Sequence, residues 1–582
     1  MSLPLPSIWC YTEPKSNMLR EAAGKDVSMK LLKRWFMVLL VTALLPAGAV
    51  RAEVFSVRRA DGTGGESSSV KLATGGNWAL FLPAYMRGQP LELTMTGREK
   101  LSLKKKTYTT GDVVTLNHGD KVTVIHGELK TNVIVMESAL PALHLTLRSG
   151  GLARVQADKN NKEPASLAAY APDGETLWEG ELKNMKGHGN ASFQFKKKSY
   201  QIQFKKKTGI LGLKAQKKFI LLANQHENSL MRNRITFDLA RAAGLAYTPG
   251  SVSVDLFANG EYLGNYLLCG KITVSSGSVD IEDADGLIEE ANPELFERDV
   301  VPEAYGHRRS TPGTFKGISW PEEPEDITGG YLFQLDYDKR YVDDESGVVT
   351  KRGQTIVVKS PEYMTPAQGE YLNDRLNSFE RAIFAADGRD PDTGRHYTEL
   401  ADMTSLVRKY MIEEISKNYD GNKSSQFFYK DSDEVDPLIY AGPVWDYDSA
   451  WGNYAGEGRL DIAAPKGLTV GGIMSGHAWW PALYHKEDFK QAVCETWRDV
   501  YRPLLLVLIG EIAPWDGCGV RPIAEIASEL EASAQMNFRR WNILNAENRA
   551  VKTGATYAEN IDYLTDWIRR RIDYLDTQWA QP

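Results

Sequence analysis

The sequence predicts an α+β protein: a small β-sandwich-like domain, a core of mixed strands and helices, and a mostly helical C-terminal part. Three observations predict it. Short β-rich runs recur at even spacing over 53–149, strands and helices alternate without a repeat over 150–455, and helical spacing of apolar residues prevails over 456–582. With 582 residues and 42% hydrophobic content, the chain can fill more than one core.

The first 52 residues read as a targeting segment. Lys30, Lys33 and Arg34 form a basic stretch, Trp35 to Leu45 an apolar one, Pro46 breaks it, and Val50 and Ala52 supply small residues at a cleavage site. The apolar run is shorter than the ~20 residues a bilayer requires. A cut after Ala52 is expected, with Ala49 as the alternative, and Met29 is an alternative start. No cysteine follows the cut, so a lipoprotein anchor is not expected. No later segment reads as membrane-spanning, so the expectation is a protein secreted or held at the cell surface, with no transmembrane anchor after cleavage. Cleavage removes seven basic and three acidic residues and takes the net charge from −7 to −11. That balance gives no global field for nucleic acid. Four cysteines exclude a disulfide scaffold, and of the three left after cleavage Cys494 and Cys518 could pair in an oxidising compartment.

In the β-rich part, Trp78–Leu82, Leu91–Met95, Val113–Leu116, Val122–His126, Val133–Met136 and Leu143–Leu147 are expected strands separated by Gly, Asn and Asp. In the core, Tyr200–Lys205 alternates apolar and polar residues and Lys218–Leu222 is a more buried strand. Ser229 is expected to cap a helix that runs through Arg232 to a stop at Gly244. Val252–Phe257 and Tyr262–Leu268 flank Asn259-Gly260 and predict a hairpin. Residues 283–328 are rich in Glu, Pro and Gly and read as a long insertion loop. Strands are expected at Gly330–Leu335, Thr355–Lys359, Phe427–Lys430 and Leu438–Trp445, and helices over 366–386 and 398–417. In the last helix Ile561, Leu564, Ile568, Ile572, Leu575 and Trp579 share a face, which places Arg569, Arg570 and Arg571 on mostly polar positions.

The sequence contains no HExxH, GxSxG or Walker P-loop, and its nine histidines are scattered. Three polar groups remain in strand-like surroundings. Lys186-Gly187-His188-Gly189-Asn190, followed by Lys196-Lys197-Lys198, either covers an anion with backbone N–H groups and one ammonium or is a glycine turn beside solvated lysines. Asn224 to Asn233, with Arg232 on the first turn of a helix, either orients a ligand or caps the helix. Glu413-Glu414 precede Asn418-Tyr419-Asp420, and the strand after the next ends in Trp445-Asp446-Tyr447-Asp448. Carboxylates at the end of an apolar strand are costly unless neutralised. Either Mg²⁺ and phosphate oxygens do so, with Asp420 meeting Asp446 and Asp448 in space, or the three form a hydrogen-bonded structural cluster.

These segments resemble the CotH family, spore-coat-protein-H-like atypical protein kinases. The motifs that carry the resemblance are KGHGNAS (186–192), KKSYQIQF (197–204), LLANQHENSLMRN (221–233), YTPGSVSVDLFANGEYLGNYLL (247–268), GGYLFQLD (329–336), NYDGNKSSQFFYK (418–430) and GPVWDYDSAWG (442–452). The resemblance implies a divergent protein-kinase-like core over 150–455, with the helical part 456–582 continuing it. It also implies ATP and Mg²⁺ (or Mn²⁺) as cofactors and a protein substrate phosphorylated on Ser or Thr. Carried over by residue, Asp420 would take the substrate hydroxyl proton, and Asp446, with Asp448 as alternative, would hold the metal. Lys198 would contact phosphate, with Gly187, Gly189, Asn190 and Arg232 around the nucleotide, and Trp445 or Tyr200 would pack on adenine. The chain departs from the family pattern at His188 (usually Arg), Gly270 (commonly Glu) and Gln334 (Glu). These departures leave a second reading open, a catalytically inactive cell-surface binding or scaffold protein.

Overall fold

The computed structural model describes residues 54–72, 77–148, 151–190, 192–306, 309–421, 424–454, 463–470, 479–544 and 554–580. The expected signal peptide lies outside them. The chain is α+β. Among the described residues nine strands between Phe55 and Glu137 pair in one continuous row, with Lys106–Tyr108 and Val113–Val114 at its edges. The strands of the expected sandwich are thus linked edge to edge in one hydrogen-bonded row. Ser67–Lys71 pairs with Phe55–Arg59 on one side and Trp78–Leu82 on the other, and so bridges the two halves. Inward residues of both halves, such as Leu93 and Val124, share one core. That core continues into Phe257, Tyr262 and Met536, so the sheet is seated on the elements that follow it.

Seven strands from Ala142 to Gly270 close into a barrel, sealed by the parallel pairing of Ala142–Leu147 with Ser251–Ala258. Leu145, Ile202, Phe219 and Leu268 fill it. The hairpin Ser251–Ala258/Glu261–Gly270 turns at Asn259 (φ 47°) and Gly260 (φ 82°), both in the left-handed region that a two-residue hairpin turn demands. The helix after the barrel strands is Arg232–Ala242. Met231 stands at its N-cap with no side-chain cap bond, and Ser229 instead bonds Glu227. Gly244, at φ 79°, follows its end as expected.

A third, seven-stranded sheet runs from Ala304–Gly306 to Ile439–Ala441 in antiparallel pairs. Its first two strands, with the helices Ala284–Ala291 and Pro293–Glu297, occupy the stretch expected to be a loop. Short elements separated by Pro and Gly leave no run long enough for a period to register. The expected strand Leu438–Trp445 ends at Ala441, and Trp445 to Asp448 belong to the loop beyond it. The helix Pro366–Phe384 opens with a capping box formed by Thr365 and Gln368. It packs into the same core as the helix Met403–Ser416 and the C-terminal helices.

The last helix, Tyr557–Trp579, buries Leu564, Ile568, Ile572, Leu575 and Trp579 as its spacing predicted, but Arg571 is buried with them. Its guanidinium donates to the Glu414 carboxylate (3.0 Å) and to the carbonyls of Glu414 (2.6 Å), Pro465 and Gly467 (both 2.8 Å). Glu414 also accepts from the backbone N–H groups of Thr469 and Val470, each at 2.7 Å. A buried charge is tolerated only when paired and fully bonded, and here the pairing staples the C-terminal helix to the end of Met403–Ser416. Cys494 and Cys518 are not joined by a disulfide.

Arg571→Ala leaves the Glu414 carboxylate buried without its cation. Loss of one partner of such a pair costs about 3–5 kcal/mol. Chemical denaturation followed by far-UV circular dichroism is expected to show a loss in that range, and a loss below about 1 kcal/mol would show that the staple is dispensable.

Candidate active site

A cleft of about 1200 Å³ is lined by barrel strands, the start of helix Arg232–Ala242, the third sheet and the loops after Ser416 and Ala441. Asp420, Asp446, Asp448, Gly187, Gly189, Asn190 and Trp445 all line it. Residues more than 200 positions apart in sequence therefore meet in one cavity, as the motif reading required.

The acidic group is positioned by a buried framework. Helix Met403–Ser416 begins at Asp402, whose side chain accepts from the Ser405 N–H (2.6 Å), and ends at Lys417, which turns left-handed at φ 48°. Just before that turn, the fully buried Glu413 pairs with Lys409 (2.6 Å) and accepts from Asn418 Nδ2 (2.8 Å). The Tyr447 hydroxyl donates to the same carboxylate. Tyr447 lies between Asp446 and Asp448, and Asn418 lies two residues before Asp420. One carboxylate thus fixes both loops that carry the acidic residues. The Tyr447 N–H donates to Asn233 Oδ1 (2.8 Å), which ties the same loop to the barrel-side helix. Trp451 closes the loop through Thr236 Oγ1 (2.8 Å) and the Ser416 carbonyl (2.7 Å).

Burial, then the charges of Asp448 and Asp420, push the Asp446 carboxyl well above the usual carboxylate range. Burial also raises Asp448. Its neighbours act in opposite senses, Glu227 raising and Arg232 lowering it. The Ser425 hydroxyl is the hydrogen-bond partner of Asp446, at a long 3.4 Å. Asp446 has φ 71° and Ser425 φ 58°, so left-handed backbone, costly for a side chain, occurs on both sides of the contact. Asp336, lifted by burial to about 6, is a further carboxyl in the cleft and accepts from Gln334 Nε2 (2.5 Å). The sequence reading had Gln334 as a departure but did not single out Asp336.

The opposite character comes from Lys186, Lys271 and Lys359, which line the same cleft. Burial, then Lys218 and Lys186, lowers Lys271 to about 8. Lys186 is lowered by burial and by Lys162 and Lys218. His188 is held at about 3 by burial and these lysines, edge-on to Trp445 at 6.2 Å between ring centroids. Lysines that repel one another in a shared cavity are a ready anion site. Lys186 belongs to the KGHGN motif, but Lys271 carries no motif of its own and is brought in only by the barrel.

Three expected contacts lie elsewhere. Lys198 is not in the cleft lining; its ammonium donates to the carbonyls of Phe193 (2.5 Å) and Phe195 (3.1 Å) and sits over the Phe193 ring. Arg232 is buried behind the cleft wall and pairs with Glu227. Tyr200 lies in the barrel core, its hydroxyl accepting from Gln156 Nε2 (2.9 Å). The two glycines have steric reasons to be glycine: a Cβ at Gly187 would stand 2.2 Å from Phe193, and one at Gly189, at φ 89°, 2.0 Å from Ser192 Oγ. Gly270 is likewise closed in, with Gln216 Nε2 at 2.0 Å from where a Cβ would be. Gln216 occupies the room that a glutamate at 270 would need.

Among the described residues no three His, Cys, Asp or Glu side chains converge closely enough to hold a metal ion by themselves. Mg²⁺ is usually bound through one or two carboxylates together with phosphate oxygens and water, and Asp446 with Asp448 matches that donor set. Burial leaves both carboxyls short of compensating charge, which a divalent cation would supply.

Asp446 binds protons in the folded state at pH values where an unfolded aspartate has lost them. It therefore contributes stability at low pH that is lost as pH rises above its ordinary value of 3.8. Asp446→Asn, which tolerates the left-handed backbone, is expected to raise the melting temperature of the ligand-free protein at pH 7 and to flatten its pH dependence. A lower melting temperature at pH 7 would show that the carboxylate is structural.

No curated protein matches the chain. The family model described as CotH kinase protein matches residues 185–575, which takes in most of the cleft lining, the third sheet and most of the last helix. The chain belongs to the CotH kinase protein family, and that membership suggests a kinase-like protein.

Proposed function

We propose that this chain is an exported, ATP-dependent protein kinase that phosphorylates Ser or Thr of a surface or secreted protein. The observation that carries the reading is the partition of charge in one cleft. Lys186 and Lys271 offer cations for a polyphosphate, and Asp420, Asp446 and Asp448 offer carboxylates for a metal and a proton. Family membership supports nucleotide and protein as substrates. Export rests on the sequence of residues 1–52; among the described residues no helix is long and apolar enough to cross a membrane.

In this reading Asp420 accepts the proton of the acceptor hydroxyl. The hydroxyl oxygen attacks the γ-phosphorus, the bond from that phosphorus to the β–γ bridging oxygen breaks, and ADP leaves. Asp446 and Asp448 would hold Mg²⁺ or Mn²⁺, which when bound offsets the phosphate charge. Lys271 takes the phosphate-binding role expected of Lys198, because Lys271 lines the cavity while the ammonium of Lys198 is committed to two carbonyls. Trp445, backed by Phe237 at 6.1 Å, is one of the aromatic residues lining the cleft and offers a surface to adenine. Catalysis of this kind depends on positioning and electrostatics, and the Glu413 framework supplies the positioning.

Transfer from labelled ATP to a protein lysate, with Mg²⁺ or Mn²⁺, tests the reading. Asp420→Asn is expected to keep nucleotide and metal affinity by calorimetry while phosphoryl transfer falls by ~10²–10⁴-fold. Asp446→Asn is expected to lose metal-dependent nucleotide binding. Absence of transfer from the unmutated protein together with absence of nucleotide binding would favour the inactive scaffold.

A second comparison separates the two lysines. Lys271→Gln is expected to weaken ATP binding at least tenfold, whereas Lys198→Gln leaves the dissociation constant within twofold. The reverse order would restore Lys198 to the phosphate site.

A further inference from the structure

Between residues 182 and 226 the sequence has eleven lysines and no aspartate or glutamate, in a chain whose net charge is −7. The structure gathers the second half of this run onto one hairpin, Ser199–Ile210 and Leu213–Leu222. Its base belongs to the barrel: the first strand is paired to Thr176–His188 only as far as Phe204, and the second to Glu261–Gly270 only from Phe219. Beyond those points the hairpin is a two-stranded ribbon, turning at Leu211 (φ 53°) and Gly212 (φ 76°). One side of the ribbon is anchored. Ile210 is buried in the barrel core, Leu213 packs beside it, and Gln216 is buried against Gly270.

The same ribbon carries Lys205, Lys206, Lys207, Lys214 and Lys217, all exposed, and the half-exposed Lys218. Lys207 donates to Ser276 Oγ (2.8 Å), which braces the ribbon against the segment after the barrel. An anchored ribbon that holds six like charges close together stores repulsion that an anion relieves. This surface runs directly into the cleft. The Lys271 N–H donates to the Lys218 carbonyl (3.1 Å), and Lys271 and Lys186 line the cavity that holds Asp420.

We propose that this lysine ribbon docks the protein substrate by an acidic stretch flanking the acceptor Ser or Thr. The inference rests on the kinase reading above and names the substrate class of that same site. An extended acidic segment of about six residues covers ~20 Å, the reach of one ribbon strand, and its continuation enters the cleft beside Lys218 and Lys271. A peptide of that size meets only the ribbon. A nucleic-acid duplex would also meet the rest of a net-acidic molecule, and so is disfavoured.

The test is binding without nucleotide, which separates it from phosphoryl transfer. Fluorescence anisotropy is measured with three labelled peptides carrying one serine within runs of Glu, Gln or Lys, and with a labelled DNA duplex. The Glu peptide is expected to bind at least tenfold more tightly than the others and to lose affinity steeply between 50 and 500 mM salt. K205E/K206E/K207E is expected to abolish that preference, and K205R/K206R/K207R to retain it, with melting curves confirming that both variants fold. Equal binding of the Glu and Gln peptides, an unaffected charge-reversal variant, or a duplex bound as tightly as the Glu peptide would each overturn the proposal. Binding of the Glu peptide by a protein that transfers no phosphate would keep the docking surface and remove the kinase reading.

Discussion

The candidate active site depends on the buried carboxylate of Glu413. It is wholly excluded from solvent, so its charge must be met on the spot. Lys409 on the previous helical turn neutralises it, and Asn418 and Tyr447 complete its hydrogen bonds. Because those two partners sit in the two loops that carry Asp420, Asp446 and Asp448, satisfying one buried group fixes the relative placement of these three carboxylates. The next residue, Glu414, does the same for the far side, binding Arg571 and the backbone of Thr469 and Val470. Adjacent glutamates on one helix thereby join the acidic loops to the C-terminal helix.

The cleft is built against its own electrostatics. Asp446, Asp448 and Asp336 are all raised by burial, and Lys186 and Lys271 are both lowered by it, with repulsion among like charges adding to the shift on Asp446 and on the two lysines. Such an arrangement costs stability in the empty protein, and a metal and a polyanion entering together would relieve it. A purely structural acidic cluster would be expected to carry its compensating cations with it, as Asp390 does. Its carboxylate is held well below the ordinary range, with Arg381, Ser378 and Thr393 bonded to it.

Much of the site was legible in the sequence because it lies in contiguous motifs. The Asn-Gly hairpin, the helix before Asp420, the strand before Asp446 and the polar residues of KGHGN each announce themselves locally, and the cleft brings Asp420, Asp446, Asp448, Gly187, Gly189 and Asn190 together. The misassigned contacts share a cause. Lys198 and Tyr200 flank Ser199, which is part of the wall; Tyr200 turns into the barrel because a strand alternates the direction of its side chains, and Lys198, just before the strand, is held by the Phe193 and Phe195 carbonyls. Register decides which neighbour faces the cavity. Arg232 was displaced in the same way: Asn233 reaches the cleft, and Arg232 turns inward to Glu227.

By itself the sequence determined the α+β class, the Asn-Gly hairpin and the long helices, the family motifs and the residue types available for chemistry, since periodicity, turn residues and short motifs are local properties. Only the tertiary structure decided that the β-rich N-terminal strands form one row seated on the barrel, that Lys271 and Asp336 belong to the cleft, and that Arg571 is an internal cation. Each of these is set by contacts between residues far apart in the chain, where closure of a barrel or burial of a charge selects the partner and no local pattern records the choice.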